Sequence, residues 1–122
     1  MIEIVPKVWG EERHIVNNSL YCGKILVLNK GWRCSLHYHK IKTETFYILK
    51  GLVKLELRMG FDLPMEGEAI DSYILMPGDS VDIQPEALHR FTGLEDSEII
   101  EFSTHHEDSD SFRLEDSGRA II

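Results

Sequence analysis

The chain has 122 residues and a formal net charge of −8, with 43% apolar and 28% charged residues. This length suits one domain with a substantial core, and the composition is that of an ordinary globular protein. Nucleic-acid binding needs a basic surface that neutralises phosphates, so the acidic balance argues against that class. No apolar run approaches the roughly 18 residues of a membrane span, which argues against an integral membrane protein.

The cysteines and the first residues indicate a compartment. Two cysteines, Cys22 and Cys34, are too few for a disulfide framework and fit a reducing environment. Charged residues interrupt the stretch MIEIVPKVWGEERH, where a signal peptide would carry an apolar run. We therefore expect a cytoplasmic protein.

Short β-like runs separated by turn signals follow one another along the first half of the chain. SLYCGKILVLN is rich in β-forming residues and ends at Asn29-Lys30-Gly31. RCSLHYH alternates, TFYILKG continues the pattern, and in LVKLELRM apolar residues alternate with charged ones. The glycines and proline of GFDLPMEGE predict a loop.

The second half continues in the same way. YILM leads into the turn PGD, and the further strand candidates are SVDIQP, LHRF and EIIEF. Only SDSFRLEDSGR, near the end, shows a weak helical periodicity. Many short strands with turns at intervals of about 8–12 residues predict an all-β sandwich or barrel. We expect one small antiparallel barrel that occupies residues 1–122.

The segment HYHKIKTE suggests a metal site. In a strand, residues i and i+2 point to the same side, roughly 6.6 Å apart at a rise of ~3.3 Å per residue. His37 and His39 therefore project together and could converge on one ion. Glu44 follows a predicted turn, so it begins the neighbouring strand and can face the same interior. His89 follows a second turn-rich segment.

Three neutral nitrogens and one carboxylate oxygen suit a divalent transition metal, namely Mn²⁺, Fe²⁺, Co²⁺, Ni²⁺ or Zn²⁺. Such a ligand set leaves positions on the ion for water or for a substrate. The other interpretation of these residues is a pair of exposed strand histidines and a solvated turn glutamate.

The spacing of these residues resembles the first cupin motif. Gly31 is followed after five residues by His37-Tyr38-His39, after four more by Glu44, and after six more by Gly51. All the fixed positions of that motif are filled.

The segment MPGDSVDIQPEALHRFTG resembles the second cupin motif, with Gly78 and His89 in register. It differs where Gln84 replaces the usual proline, Glu86 the usual glycine and Gly93 the usual asparagine. The resemblance implies a cupin β-barrel, also called a double-stranded β-helix or jelly roll. It also implies that the metal ligands are His37, His39, Glu44 and His89.

The flanking segments resemble the cupin domain of type II phosphomannose isomerases. These segments are VWGEE, SLHYHKIKTETF, LHRFTG, IIEFST and DSDSFRLEDSGR. The similarity extends from about Val8 to Arg119. Val8 stands where proline is usual in that family, His37 where glutamine is usual, Lys42 where arginine is usual and Ser117 where tyrosine is usual.

This second resemblance favours a metal-dependent isomerase or epimerase that acts on a sugar or a sugar phosphate. Such a reaction needs a Lewis acid and a base that moves a proton, and we take Glu44 and Glu101 as the candidate catalytic carboxylates. Strand parity does not decide whether Glu101 faces inward. Lys42, Arg90 and Arg113 could bind a phosphate or carboxylate, although Arg90 adjoins His89 in a strand and so points to the opposite face.

Two other functions remain open at this point. A three-histidine, one-glutamate site also suits a non-haem iron dioxygenase, and the barrel could instead be a non-catalytic sugar-binding module. In each case the partner is a small polar ligand. We also expect a homodimer, because Leu26, Leu28, Leu36 and Tyr38 would leave apolar faces partly uncovered in a single small barrel.

Overall fold

Alternation of inward and outward side chains organises most of the chain into β-strands. The computed structural model describes residues 2–58 and 70–120. Within those ranges the strands are β1 (Glu3–Lys7), β2 (Gly10–Asn17), β3 (Cys22–Leu28), β4 (Trp32–Arg33), β5 (Leu36–His39), β6 (Glu44–Lys50), β7 (Val53–Arg58), β8 (Asp71–Leu75), β9 (Ser80–Ile83), β10 (Leu88–Gly93), β11 (Ser97–Ser103), β12 (Ser111–Glu115) and β13 (Gly118–Arg119). The predicted loop GFDLPMEGE lies outside the described residues.

The strands form two antiparallel sheets. One sheet has the order β1-β2-β3-β11-β6-β9. In the other, β10 pairs with β4, β5 and β7, while β12 pairs with β5, β13 with β4 and β8 with β7. This arrangement is the predicted all-β antiparallel jelly-roll barrel, and the described part of the chain contains no helix long and apolar enough to cross a membrane.

Strand β3 shows how the sequence pattern sets the inner face. Cys22, Lys24, Leu26 and Leu28 are buried, and the three residues between them are partly exposed. Three of these inward residues are apolar, and the fourth is a lysine. Because strand side chains alternate with a period of two, this register brings all four to the interior.

The hydrophobic core lies between the sheets. It consists of Trp9, Leu26, Leu28, Cys34, Phe46, Ile48, Val53, Leu55, Ile83, Ala87, Phe91 and Ile99. Leu26, Leu28 and Leu36 are thus covered within one chain. The expectation that they form an uncovered dimer face was wrong, because Leu26 and Leu28 belong to the core between the sheets and Leu36 is buried as well. Tyr38 is half-buried and stacks on Phe112 at 5.2 Å between ring centroids.

The terminal segment SDSFRLEDSGR is not helical. A single 3₁₀ turn occupies Asp108–Asp110, and the chain then continues as β12 and β13. β12 pairs with β5, and β13 pairs with β4, so tertiary pairing overrides the weak helical periodicity. This pairing has a functional consequence, because β5 carries two of the predicted metal ligands.

Candidate metal centre and its cavity

Three neighbouring strands bring the predicted ligands together. His37 and His39 lie on β5, and His89 lies opposite His37 on β10. Glu44 is the first residue of β6, in the other sheet. The turn at residues 40–43 carries the chain from one sheet to the other, so the side chain of Glu44 meets the histidines across the interior.

The four side chains converge on one point. The ligand nitrogens of His37, His39 and His89 all lie within 4.8 Å of one another. Glu44 Oε1 lies 3.4 Å from His39 Nε2 and 3.4 Å from His89 Nε2. Metal–ligand bonds of about 2.1 Å hold two ligand atoms at most ~4.2 Å apart, so small side-chain rotations suffice for coordination.

Main-chain carbonyls orient the three imidazoles. Each Nδ1 lies 2.9 Å from a carbonyl oxygen: that of Ser35 for His37, that of Asp110 for His39 and that of Ala87 for His89. A carbonyl oxygen can only accept, so Nδ1 carries the proton and the Nε2 lone pair is free. Fixing the tautomer in this way is the usual arrangement of metal-bound histidines.

The electrostatics of the cluster favour a cation at its centre. Withdrawal from water lowers the pKa of His37 to about 3 and also lowers the pKa of His39. Burial alone would raise the pKa of Glu44, but His89, Lys42 and His39 hold it below its usual value. His37 and His39 are therefore neutral imidazoles beside an ionised carboxylate.

Two atoms of the cluster lack the partner that a buried polar atom requires. Glu44 Oε1 and His89 Nε2 are buried and have no hydrogen-bond partner among the described residues. An ionised oxygen and an imidazole lone pair 3.4 Å apart, both withdrawn from solvent, repel each other unless a positive charge lies between them. A divalent ion there would satisfy both atoms, so the residues present fit a metal.

Asp110 is a supporting residue that the sequence analysis missed. Its carboxylate accepts hydrogen bonds from the main-chain N–H groups of Lys40, Ile41 and Lys42, at 2.9, 3.2 and 3.0 Å. Its own carbonyl orients His39. One buried aspartate thus holds the turn between the two ligand-bearing strands. No motif marks it, because the contact spans about seventy residues of sequence.

A second polar group surrounds the ligands. Lys42 Nζ lies 3.3 Å from Glu44 Oε2 and 2.8 Å from Glu101 Oε2, and it donates to His106 Nδ1 at 3.0 Å. Burial alone would lower the pKa of Lys42, but the carboxylates of Glu101 and Glu44 raise it. Ser103 Oγ also donates to Glu101 at 3.1 Å. Glu101 therefore faces the interior, beside the candidate metal ligands.

These residues line a cavity of about 800 Å³. His37, His39, His89, Glu44, Lys42 and Glu101 are all part of its wall. His106, which no sequence motif singled out, also lines it. His106 reaches the cavity because the chain returns along β11. The local sequence HHEDSD does not predict that path.

The two predicted arginines occupy different places. Arg113 also lines the cavity, and its half-exposed guanidinium lies 4.0 Å from Asp116. Arg90 is buried elsewhere: it donates to the carbonyl of Cys34, to Glu115 Oε1 at 2.7 Å and to the carbonyl of Asp116. Its donors tie β10 to the end of β12, so we do not include Arg90 among the proposed ligand contacts.

Comparison of the sequence with models of known protein families and with curated proteins finds no match. Solved structures do match. KdgF from Halomonas sp. is 20% identical, with a TM-score of 0.66 over 81% of each chain. The capsular polysaccharide assembling protein CapF from Staphylococcus aureus is 17% identical, with a TM-score of 0.74 over 94% of this chain and 34% of CapF.

Oxalate decarboxylase from Bacillus subtilis is 17% identical, with a TM-score of 0.75 over 93% of this chain and 30% of that enzyme. The chain has the cupin fold. At these identities the likeness establishes the fold and carries no activity with it. The chain spans about a third of CapF and of oxalate decarboxylase.

Proposed function

We propose that this cupin is a divalent-metal-dependent isomerase or epimerase of a sugar or a sugar phosphate. The observation that carries the proposal is Glu101, a buried carboxylate that shares the cavity with the three histidines and Glu44. An isomerase needs both a Lewis acid and a nearby base, and here both sets of residues line one cavity.

His37, His39, Glu44 and His89 would hold the ion. When bound, it would supply Lewis acidity towards a carbonyl and the neighbouring hydroxyl of the sugar. In the structure of Bacillus subtilis oxalate decarboxylase cited above, the centres described are Mn(II). That precedent supports a divalent ion on this fold, and metal analysis of the purified protein will identify which ion this chain binds.

Glu101 would move the carbon-bound proton. Its carboxylate takes a proton from the carbon beside the carbonyl and returns it to the neighbouring carbon, while the hydroxyl proton passes between the two oxygens. Lys42 holds this carboxylate at 2.8 Å and so fixes its direction. The apolar side chain of Phe46, also in the cavity wall, limits the access of water to the reacting carbons.

The first test measures metal content. Protein purified without added metal should contain about one equivalent of a divalent ion, and the His37→Ala, His89→Ala double variant should contain almost none. His105→Ala is the matched control, since that imidazole is 40% exposed and, among the described residues, contacts Asn18 and Glu107. Equal metal content in wild type and double variant rejects the site.

The second test measures turnover. Under anaerobic conditions the metal-loaded protein should interconvert an aldose and a ketose, or two epimers, and should place deuterium on carbon in D₂O. Glu101→Gln should lose this activity, and Glu98→Gln, on the same strand near Arg13, should keep it. Consumption of O₂ with a redox-active metal would instead identify a dioxygenase, and ligand binding without turnover a binding module.

We further propose a small carbohydrate as ligand and a homodimer as the assembly. Structures of CapF with the inhibitor 3-isopropenyl-tropolone and of a Lactobacillus farciminis oxalate decarboxylase–formate complex support a small-molecule ligand on this fold.

The proposed dimer interface is the outer face of β6 and β11. This face presents Tyr47, Leu49 and Phe102, which are 37, 49 and 57% exposed. Light scattering should give twice the chain mass of 14.1 kDa, and Phe102→Lys should halve it.

A further inference from the structure

A buried lysine, Lys24, faces the cavity from β3. Its side chain is only 5% exposed, yet it forms part of the cavity wall. In the paired strands its neighbours are His14 on β2 and Glu101 on β11. A charged residue at a core-facing strand position is unusual, because an ammonium group loses its hydration there.

Within the described part of the chain, the ammonium of Lys24 lacks a close partner. Its nearest carboxylate oxygen is Glu12 Oε1 at 3.8 Å, beyond hydrogen-bond distance. That oxygen is already bound by His14 Nε2 at 2.8 Å, and Glu12 Oε2 lies 4.0 Å from Lys7. Three groups thus share the Glu12 carboxylate, and the N–H donors of the Lys24 ammonium remain available for a ligand.

Lys42, by contrast, has no spare donor. Two carboxylates and one imidazole surround its ammonium at 2.8 to 3.3 Å. Lys42 was a candidate for binding the substrate anion, and its ammonium already contacts Glu44 and Glu101. Among the buried lysines of the cavity wall, Lys24 is the one with donors free.

The charge of the cavity supports an anionic guest. With neutral histidines, its lining has four cationic and five anionic side chains. A divalent ion at the proposed centre changes the net charge of the cavity to about +1, although the whole chain carries −8. An anion bound at Lys24 would therefore be drawn inward against the field of the surface.

We propose that Lys24 binds a carboxylate or phosphate group of the substrate, while the other end of the molecule reaches the metal ligands. The substrate class then narrows to an acidic sugar or a sugar phosphate. The inference rests on the proposed metal centre for the position of the second end, and binding at Lys24 does not depend on turnover.

Calorimetry with metal-loaded protein tests the inference. The probes are D-glucuronate, D-glucose 6-phosphate and uncharged D-glucose. Wild type should bind one of the two charged probes at least tenfold more tightly than glucose, and the better probe identifies the group as carboxylate or phosphate. Lys24→Met and Lys24→Gln should each lose about 10- to 100-fold of that affinity, since a charge-assisted hydrogen bond is removed.

The matched control is Lys50→Met, which removes the same charge from an exposed position at the end of β6. Its affinities should equal those of wild type, and all variants should keep the same metal content. Two neutral replacements are used so that misfolding of one leaves the other, and the circular dichroism spectrum reports folding.

The inference is overturned if both charged probes bind no better than glucose, or not at all, or if both neutral variants retain wild-type affinity. The anion-site inference and the proposed isomerase activity can be refuted independently of each other. Lys24-dependent binding without turnover would refute the isomerase alone, whereas turnover that is indifferent to Lys24 would refute the anion site alone.

Discussion

Asp110 and His39 are joined by a hydrogen bond of 2.9 Å, from the imidazole Nδ1 to the main-chain carbonyl. The same aspartate binds, through its carboxylate, the N–H groups of the turn that follows His39. Asp110 is not part of the cavity lining, yet it sets both the direction of one candidate ligand and the path of the chain to the next candidate ligand, Glu44.

Replacement of Asp110 by asparagine should weaken the metal site. One carboxylate oxygen becomes an amide that donates towards N–H groups of the turn, so at least one of these hydrogen bonds is lost. We expect metal affinity to fall by about 10- to 100-fold, and the free energy of unfolding to fall by about 1–3 kcal/mol. Competition with a chelating dye measures the first change and urea unfolding of the metal-free protein the second.

Asp116→Asn is the control, because the Asp116 side chain is 93% exposed and its partner Arg113 is 4.0 Å away. It should leave both quantities within about 0.5 kcal/mol of wild type. If folded Asp110→Asn protein bound metal as tightly as wild type, the positioning role of this residue would be refuted.

Glu86 replaces the usual glycine of the second motif, and its backbone explains why glycine is usual. Its φ of 70° lies in the left-handed region, which costs a residue with a Cβ about 1–2 kcal/mol. Glu86→Gly removes this backbone strain, although the greater freedom of glycine in the unfolded chain offsets part of the gain. The variant should therefore be more stable than wild type by about 0.5–1 kcal/mol.

Thermal and urea unfolding measure this gain. The bond from the main-chain N–H of residue 86 to the His39 carbonyl is retained in the variant, so metal affinity should stay unchanged. Glu95→Gly, at an exposed position without a positive φ, should instead destabilise the protein. A loss of stability for Glu86→Gly similar to that of Glu95→Gly would contradict the prediction.

The two motif glycines, Gly51 and Gly78, should differ sharply when replaced by alanine. Both have positive φ, at 95° and 94°. A Cβ at Gly51 would overlap the Ser97 hydroxyl and the Asp96 carbonyl, whereas a Cβ at Gly78 would meet open space. Gly78→Ala should cost about 1–2 kcal/mol from backbone strain alone, and Gly51→Ala about 3 kcal/mol or more.

Urea unfolding of both variants measures the difference. The comparison is internally controlled, because the backbone strain is nearly the same at the two sites. Equal losses of stability would show that β11 moves away to admit the new methyl group at residue 51, and would reject the close approach of the turn to Ser97.

The sequence predicts the barrel well, and it places His37 and His39 on one side of their strand, because both features depend on short-range spacing. Alternation in LVKLELRM fixes the face of β7, and the interval between His37 and His39 fixes their common side. The roles of Asp110, His106 and Lys24 depend on which distant strands become neighbours. Pairing of β12 with β5, and of β11 with β3, creates those contacts, and no local pattern encodes them.

Arg90 and Lys42 illustrate the same limit. Each is a cation near a motif residue, and both were candidates for an anionic ligand. In the structure, Arg90 binds Glu115 and the Asp116 carbonyl at the end of β12, and Lys42 lies between two carboxylates. Whether a buried cation is available to a ligand depends on the partners already bound to it, which only the folded chain reveals.

Cys34 lies in the cavity wall and should be chemically inert in the folded protein. Burial, reinforced by the carboxylate of Glu12, raises the pKa of its thiol to about 12. At pH 8 the reactive thiolate is then about 10³-fold scarcer than for an ordinary cysteine. In a Cys22→Ser variant, which leaves Cys34 as the single thiol, alkylation by iodoacetamide should be slower by about that factor.

The pH dependence of the alkylation rate gives a second readout. The rate should keep rising about tenfold per pH unit up to about pH 11, whereas the rate of an ordinary thiol levels off near pH 9. Mass spectrometry follows the adduct, and denatured protein, which should react at the ordinary rate, is the control. A plateau near pH 9 in the native protein would show that water reaches the thiol, and that this side of the cavity is wetter than its lining indicates.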